Sequence, residues 1–504
     1  MISPILMLSY SCSQKKIEKP NILFIAVDDL RPELGCYGNT AIITPNIDRL
    51  AKTGMLFSNA YCQQSLSNPS RASLLTGRRP DAIKVWDLST HFRSAVPDAV
   101  TLPEFFKHQG YRVEGVGKIF HDTKEMEDPQ SWSNPKKSPE GIGDYPDTTM
   151  QRLIGLKNKG IQLRKEGVPE TRIPTPSAVS TMSVDEPDNK LRDGAVADLA
   201  IDFLEEINEP FFLAVGFYRP HLPFVAPKKY FDLYDPEKIP QATNSFLPKD
   251  CPNIAINTLD ELRGCADLTG VPSPFEGSLP LEKRQQLKHG YYACVSYIDA
   301  QIGRLLNALE SNGLSENTIV ILWGDHGWKL GEHNSWGKMT NYEIDTRAPL
   351  IIRVPWMKKK NVKTDALVEF VDIYPSLCEL TGFHVSENLE GISFTPLLKK
   401  PHLKWKSAVF SQYMRTTDNG SFMGYSIRTR QYRYVEWINM ETKIVVGREL
   451  YDHHTDPEEN INIAGLTENS SLVKMFSEKL AKGWKAALPE RTSYRGAKEY
   501  TVDY

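Results

Sequence analysis

Four groups of side chains in this chain have the types and spacing to do chemistry together. The first is Val27-Asp28-Asp29, directly after the apolar run Ile22 to Val27. Adjacent carboxylates repel each other unless a cation lies between them, although an isolated Asp-Asp pair suits a solvated turn equally well. The second is Trp323-Gly324-Asp325-His326-Gly327, after the apolar run Thr318 to Trp323. Its glycines let the backbone turn tightly beside a ligand. Asp325 can complete a metal site with Asp28 and Asp29, and two such motifs at equivalent strand ends favour a metal centre over coincidence.

The third is Ser67-Asn68-Pro69-Ser70-Arg71, leading into an apolar helical start and Thr76-Gly77. Pro69 can open a helix whose free N–H groups attract anions, and Arg71 adds a permanent fork of donors. A hydroxyl nucleophile here would sit beside both a metal and an anion; an ordinary Ser-rich helix cap has the same look. The fourth is a scattered set: Lys118 and His121 in Gly117-Lys118-Ile119-Phe120-His121, His221 in Tyr218-Arg219-Pro220-His221, and Lys338 in Trp336-Gly337-Lys338. Singly, such residues are more often surface or structural. Together they supply anion clamps and an acid for a leaving group.

The elements that must position these groups can be read from the apolar pattern. Ile22 to Val27, Phe211 to Phe217, Thr318 to Trp323 and Pro349 to Val354 are bounded by turn residues, as in buried parallel strands. Helical patterns lie between them: Asn46 to Lys52 stopping at Gly54, Leu281 to Leu309 ending at Gly313, and Ala366 to Leu380 ending at Gly382. This alternation predicts an α/β domain with a covered, mostly parallel sheet. Beyond about Leu398 the character changes. Lys399-Lys400-Pro401 reads as a linker, Ala408 to Tyr413 and Tyr425 to Trp437 as strands, Leu450 to Asp456 as a strand entering a turn, and Leu472 to Ala487 as a closing amphipathic helix. The organisation predicted is a leader and tether over 1–19, a catalytic domain over 20–398 and a small α+β subdomain over 399–504. The Pro- and charge-rich stretch Glu125 to Pro187 reads as surface insertions, which often shape substrate pockets.

At 504 residues and 40% hydrophobic, the chain is too long for one ordinary core, consistent with a large domain plus a smaller one. A net charge of -3 gives no general attraction for polyanions, so an acidic polymer would need a local basic site. No basic arm, zinc-finger spacing or aromatic-basic strand motif supports nucleic-acid binding. No apolar run is long enough to span a bilayer. The seven cysteines show no zinc spacing, and their odd number argues against a complete disulfide framework; Cys251 and Cys265 either bridge a loop or stand as separate thiols. Ile2 to Tyr10 is mostly apolar, Leu8-Ser9-Tyr10-Ser11-Cys12 resembles a bacterial lipoprotein cleavage box, and a polar tether runs from Ser13 to Lys19. The stretch is short for a signal and lacks a preceding positive charge, so a frayed terminus is the alternative. The expectation is export to the periplasm or cell surface, with Cys12 as a lipid anchor.

With these residues in place the chain resembles the type I sulfatases of the alkaline-phosphatase-like superfamily, and within them the iduronate-type branch and its bacterial relatives. The matching stretches are Pro20 to Pro32, Leu34 to Gly38, Thr44 to Asp48, the signature Ser67 to Pro80, Gly117 to His121, Phe217 to Pro223, Gly324 to His333 and Leu450 to Pro457. The resemblance implies a sandwich with a large, mostly parallel central sheet flanked by helices, plus a smaller C-terminal subdomain. It implies that position 67 is oxidised to formylglycine (3-oxoalanine). Ser rather than Cys stands there, which implies a bacterial source with a Ser-type sulfatase-maturating enzyme; an unmodified Ser67 would be dead or very slow. It further implies that Asp28, Asp29, Asp325, His326 and residue 67 bind calcium, with magnesium the lesser choice. Nitrogen is an unusual calcium ligand, so His326 is either a weak ligand or a contact to sulfate or nucleophile.

The same resemblance assigns roles. Arg71 and Lys118 bind the sulfate oxygens, Asp325 takes the proton of the attacking oxygen, His221 protonates the departing sugar oxygen, and His121 acts as base when sulfate is expelled. Lys338 faces the carboxylate of a uronic acid, unless it pairs with a local acid such as Glu332 or Glu343. The implied substrate is a 2-O-sulfated uronic acid, saturated or unsaturated, at the end of a heparin/heparan or chondroitin/dermatan oligosaccharide. Rival readings are a sulfatase for another sulfated glycan, a phosphodiesterase or phosphonate hydrolase of the same superfamily, and a glycan-binding protein that has lost its chemistry.

Overall fold

In strand β1 (Asn21–Val27) every residue is buried. Ile22, Phe24 and Ala26 enter one apolar core while Leu23, Ile25 and Val27 enter another. A strand covered on both faces has no polar positions to spare, which is why the run is continuously apolar. The computed structural model describes residues 19–143, 145–166, 178–258, 260–268, 270–384 and 388–490. The leader, the lipoprotein-like box and Cys12 lie outside the described residues.

Six further strands complete this sheet: β2 (Met55–Tyr61), β3 (Arg112–Gly117), β4 (Phe211–Phe217), β5 (Thr318–Gly324), β6 (Leu350–Arg353) and β7 (Val362–Glu369). Their order is β7-β2-β6-β5-β1-β4-β3. β1 pairs in parallel with both β4 and β5, so Val27 lies level with Phe217 and Gly324, and the loops after these three strands open at one edge. β3 joins β4 in parallel. Helices α1 (Pro45–Thr53), α3 (Arg192–Glu206) and α4 (Leu281–Ser311) cover one face, and α2 (Ser67–Thr76) and α5 (Ile373–Leu380) the other. This is the covered, mostly parallel sheet predicted from the sequence.

Several local expectations are corrected. The run Pro349 to Val354 does form a strand, β6, but it is antiparallel to both β2 and β5. Ala366 to Leu380 is not one helix: strand β7 takes the chain to Glu369, and α5 begins only at Ile373. After a register shift, Leu367, Val368 and Glu369 pair with Asn59, Ala60 and Tyr61 at the end of β2, so tertiary pairing overrides the helical spacing. Within Glu125 to Pro187 a helix runs over Asp147–Lys165, but Trp132 is buried against Gly115 and Phe120, so part of the stretch belongs to the core.

The C-terminal region is a four-stranded antiparallel sheet, β8 (Val409–Thr417), β9 (Gly420–Arg428), β10 (Tyr432–Asn439) and β11 (Val445–Asp452), in that order, packed by α6 (Ser470–Lys482). Tyr425 to Trp437 is therefore two strands joined by a tight turn, with Thr429 N–H donating to the Tyr432 carbonyl. The closing helix stops at Lys482, where Gly483 at φ 70° breaks it before a short 3-10 turn over Trp484–Ala487. Cys251 and Cys265 are both free, so the bridge between them is not formed. The subdomain is tied to the main sheet by buried ions: Lys406 contacts both Glu369 and Asp372 at 2.7 Å. The Gln412 backbone N–H also donates to the carbonyl of Gln63, in the segment that leads from β2 into Ser67.

Candidate active site

The ends of β1 and β5 bring the two carboxylate motifs together. Asp29 adopts φ 57° and its backbone N–H donates to Asp325 Oδ1 at 3.0 Å. Tyr291 of α4 buttresses this turn, its hydroxyl donating to the Asp29 carbonyl at 2.9 Å. Ser67 opens α2, and its Oγ lies 3.1 Å from Asp28 Oδ1 and 3.2 Å from His326 Nε2. Ser70 Oγ donates to the Asp325 carbonyl at 2.5 Å, fixing the start of α2 against the second motif. Asp28, Asp29, Asp325, His326 and Ser67 are all 2% exposed or less.

Three buried carboxylates need compensation, and three cations provide it. Arg71 donates from Nε to Asp325 Oδ2 at 2.9 Å and from Nη2 to Asp28 Oδ1 at 3.0 Å, and gives Nη1 to the Lys118 and Ile119 carbonyls. Lys118 Nζ reaches Asp28 Oδ2 at 2.5 Å. Lys338 Nζ reaches both oxygens of Asp29, at 2.8 and 3.0 Å. Burial opposes ionisation of Asp28, but Lys118 and Arg71 outweigh it and hold this carboxyl well below the usual range. For Asp29 burial dominates and pushes the carboxyl up despite Lys338.

These contacts refine the expectations for the cations. Arg71 is fully buried and turned toward Asp28 and Asp325, so it organises the carboxylates from behind instead of presenting an open fork to a sulfate. Lys338 pairs with a local acid, but the acid is Asp29, with Glu261 at 3.5 Å, and not Glu332 or Glu343. Glu332 pairs with Arg31, and Glu343 with Arg428 and Arg433.

The histidines face the centre in different ways. His326 Nδ1 lies 2.9 Å from the Gly327 carbonyl. A carbonyl only accepts, so Nδ1 carries the hydrogen and Nε2 is the nitrogen offered to Ser67, Asp29 and Asp325. His221 likewise gives Nδ1 to the Leu222 carbonyl at 2.6 Å, leaving Nε2 facing Glu261 at 2.9 Å and Asp29 at 3.9 Å. Burial and Lys338 disfavour its protonation, but Asp29, Glu261 and Asp28 outweigh them and raise its pKa. His121 is driven the other way, to about 4, by burial and by the neighbouring Lys118. It is therefore neutral at pH 7, and its buried Nδ1 has no hydrogen-bond partner among the described residues.

Asp29, Asp325 and His326 offer ligand atoms within 4.8 Å of one another, as do Asp28, Asp29 and His221. A hard divalent cation takes oxygen ligands in such a carboxylate cluster, so the donor set fits a metal. A third group, Glu343, His453 and Glu459, is already paired with Arg428 and Arg433. The carboxylates, Ser67, Arg71, Lys118, His221, His326 and Lys338 singled out from the sequence thus meet in one cluster, and His121 follows Lys118 by three residues in the segment after β3. Sequence reasoning missed Glu261 and Tyr291. Glu261 sits in a short helix, Asp260–Arg263, far from any motif, and no local pattern marks it.

Comparison with known proteins agrees with this geometry. The sulfatase family model matches residues 20–383, and a model of the N-sulphoglucosamine sulphohydrolase C-terminal region matches residues 331–486. The chain is 33% identical to iduronate 2-sulfatase of Mus musculus, covering 90% of this chain and 92% of that one. It is 31% identical to a sulfatase of Formosa agariphila, covering 93% and 88%. Its fold superposes with a TM-score of 0.72 and 23% identity on a protein solved with its substrate D-glucosamine-2-N,6-O-disulfate, covering 95% of this chain and 99% of that chain. A shared fold, a matching family model over most of the chain and full-length relatives lead to one conclusion: the chain belongs to the type I sulfatases of the alkaline-phosphatase-like superfamily and is a sulfuric ester hydrolase.

Proposed function

We propose that this site hydrolyses a sugar sulfate ester through a formylglycine derived from Ser67, beside a calcium ion held by Asp28, Asp29, Asp325, His326 and residue 67. The observation that carries the reading is the placement of Ser67 Oγ within 3.2 Å of both Asp28 and His326, at the mouth of a helix. As a hydrated aldehyde, residue 67 would supply a nucleophilic oxygen and a carbon able to expel sulfate without a second attack on sulfur, and a cation held by the carboxylates would supply positive charge to the site. Magnesium would satisfy the carboxylates but demands stricter octahedral geometry.

The chain's own residues account for the remaining work. Attack brings an oxygen toward an anion, and Lys118 beside Asp28 and Lys338 beside Asp29 lower that repulsion. Arg71 holds Asp28 and Asp325 in register. Asp325 is the acceptor for the proton of the attacking oxygen. His221 is the donor to the departing sugar oxygen: its Nε2 faces the site, and the surrounding acids favour its protonated form. His121, kept neutral by burial and Lys118, suits the base of the second step.

For the substrate we propose the 2-O-sulfate of a uronic acid, saturated or unsaturated, in a glycosaminoglycan oligosaccharide. The similarity to iduronate 2-sulfatase over nearly the whole chain supports it, as does the lysine pair, which would receive two anionic groups of one sugar. The tether over 13–19 and Cys12 support a lipid-anchored protein at the periplasmic or outer surface, matured by a Ser-type sulfatase-maturating enzyme. Mass spectrometry of the Ser67 peptide from the native host tests the maturation, and the loss of two hydrogens is expected. Release of free sulfate from a panel of sulfated disaccharides tests the substrate. Preference for 6-O-sulfated glucosamine over 2-O-sulfated uronate would redirect the assignment.

A further inference from the structure

Glu261 is an acid at the site that belongs neither to the metal cradle nor to any sequence motif. It projects from the short helix Asp260–Arg263 onto two groups of the reaction: His221 Nε2 at 2.9 Å and Lys338 Nζ at 3.5 Å. On its other nitrogen His221 is held by its own loop, through Nδ1 and the Leu222 carbonyl at 2.6 Å. A ring fixed at one nitrogen can still swing about that bond. A second acceptor on the opposite nitrogen removes the freedom and fixes the direction in which Nε2–H points. The His221 side chain is 28% exposed, so packing does not do this by itself.

We propose that Glu261 is the positioning residue for the leaving-group acid: its carboxylate, flanked by Lys338, accepts from His221 Nε2–H and so fixes the ring with Nε2 at the site. The inference rests on the reading of His221 as that acid. In the bound state the leaving oxygen shares the Nε2–H hydrogen bond with Glu261 or replaces Glu261 as its acceptor. On bond cleavage the proton passes from Nε2 to the sugar oxygen as that oxygen leaves sulfur with the electron pair. Glu261 then keeps Lys338 as its partner.

A poor leaving group such as a sugar alkoxide needs this proton; a nitrophenolate needs it far less. The test uses the matured enzyme with a 2-O-sulfated uronate disaccharide and with nitrophenyl sulfate, comparing wild type, Glu261→Ala, Glu261→Gln and His221→Ala. Glu261→Ala is expected to lower kcat on the disaccharide by about 10- to 100-fold, at the modest end of general-acid effects. KM should change little, and the loss on nitrophenyl sulfate should be within about threefold. Glu261→Gln, which still offers an oxygen to Nε2–H, should recover part of the loss. The double variant with His221→Ala should be no worse than His221→Ala alone, as for groups that act as one unit. Equal losses on both substrates, or a more active Glu261→Ala, would overturn the proposal. If His221→Ala itself fails to discriminate between leaving groups, the reading of His221 as the acid falls instead.

Discussion

Asp28 is the residue on which most contacts of the site converge: Ser67, Arg71 and Lys118 all reach its two oxygens. Removing it takes the carboxylate from Lys118 and leaves Arg71 with Asp325 alone, and breaking such a buried pair costs about 3–5 kcal/mol. Asp28→Ala should therefore both abolish sulfate release and lower the unfolding free energy by that amount, measurable by urea denaturation. A fully active Asp28→Ala would contradict the metal cradle. At this scale the carboxylates and Ser67 were legible. Adjacent acids at one strand end, a third acid at another and a helix start carrying a hydroxyl rarely coincide unless a cation and an anion meet there, although the helix opens at Ser67 and not at the Pro69 expected to begin it. The inward turn of Arg71 was not legible. Its direction depends on where Asp28 and Asp325 meet, and these lie in motifs at opposite ends of the catalytic domain's sequence.

Among the elements, the joint between the two sheets carries a second set of buried charges. Lys406 lies between Glu369 and Asp372, with both carboxylates fully buried. Lys406→Ala takes the cation from Asp372 and leaves it beside Glu369, which keeps Arg79 at 2.8 Å. It should lower stability by about 3–5 kcal/mol, read as a lower urea midpoint with an unchanged m-value. His333, in the loop after β5, gives Nε2 to the Glu458 carbonyl, so it spans the same joint. Burial and Lys329 lower its pKa to about 4. The folded form thus binds this proton more weakly than the unfolded chain. Its contribution is fully present above the ordinary value of about 6.5 and is lost as pH falls toward 4, by about 3 kcal/mol. His333→Gln should flatten this part of the stability–pH curve relative to wild type. A curve parallel to wild type would refute the buried neutral imidazole. The four apolar runs of the large domain were legible as strands because burial on both faces leaves a continuous apolar signature. The direction of β6 was not, since antiparallel and parallel buried strands have the same composition. The split of Ala366 to Leu380 was hidden for a related reason: a short apolar run suits either period, and only pairing with β2 decides.

For the whole molecule, a net charge of -3 coexists with a site where four acids, Asp28, Asp29, Asp325 and Glu261, meet three cations, Arg71, Lys118 and Lys338. A divalent cation makes that local balance positive and so receptive to a sulfate monoester anion. The metal should accordingly stabilise the fold as well as the reaction. Calcium at about 100 times its Kd would add about 2.7 kcal/mol, seen as a lower Tm after chelation that calcium restores. An unchanged Tm would mean that the folded protein binds no calcium, against the cradle. The overall plan, a covered α/β sheet followed by a smaller α+β unit, could be read from the sequence. The tight ionic joint that makes the two act together could not, because it is assembled from residues scattered from Gln63 to Arg433.

The most direct test of the cradle chemistry is the release of free sulfate from a 2-O-sulfated uronate disaccharide by the host-matured protein and by its Ser67→Ala variant under the same conditions. Wild type should turn the ester over, and Ser67→Ala should show no release above background. Equal rates from the two proteins would mean that the hydroxyl side chain in the carboxylate cluster does not carry the reaction.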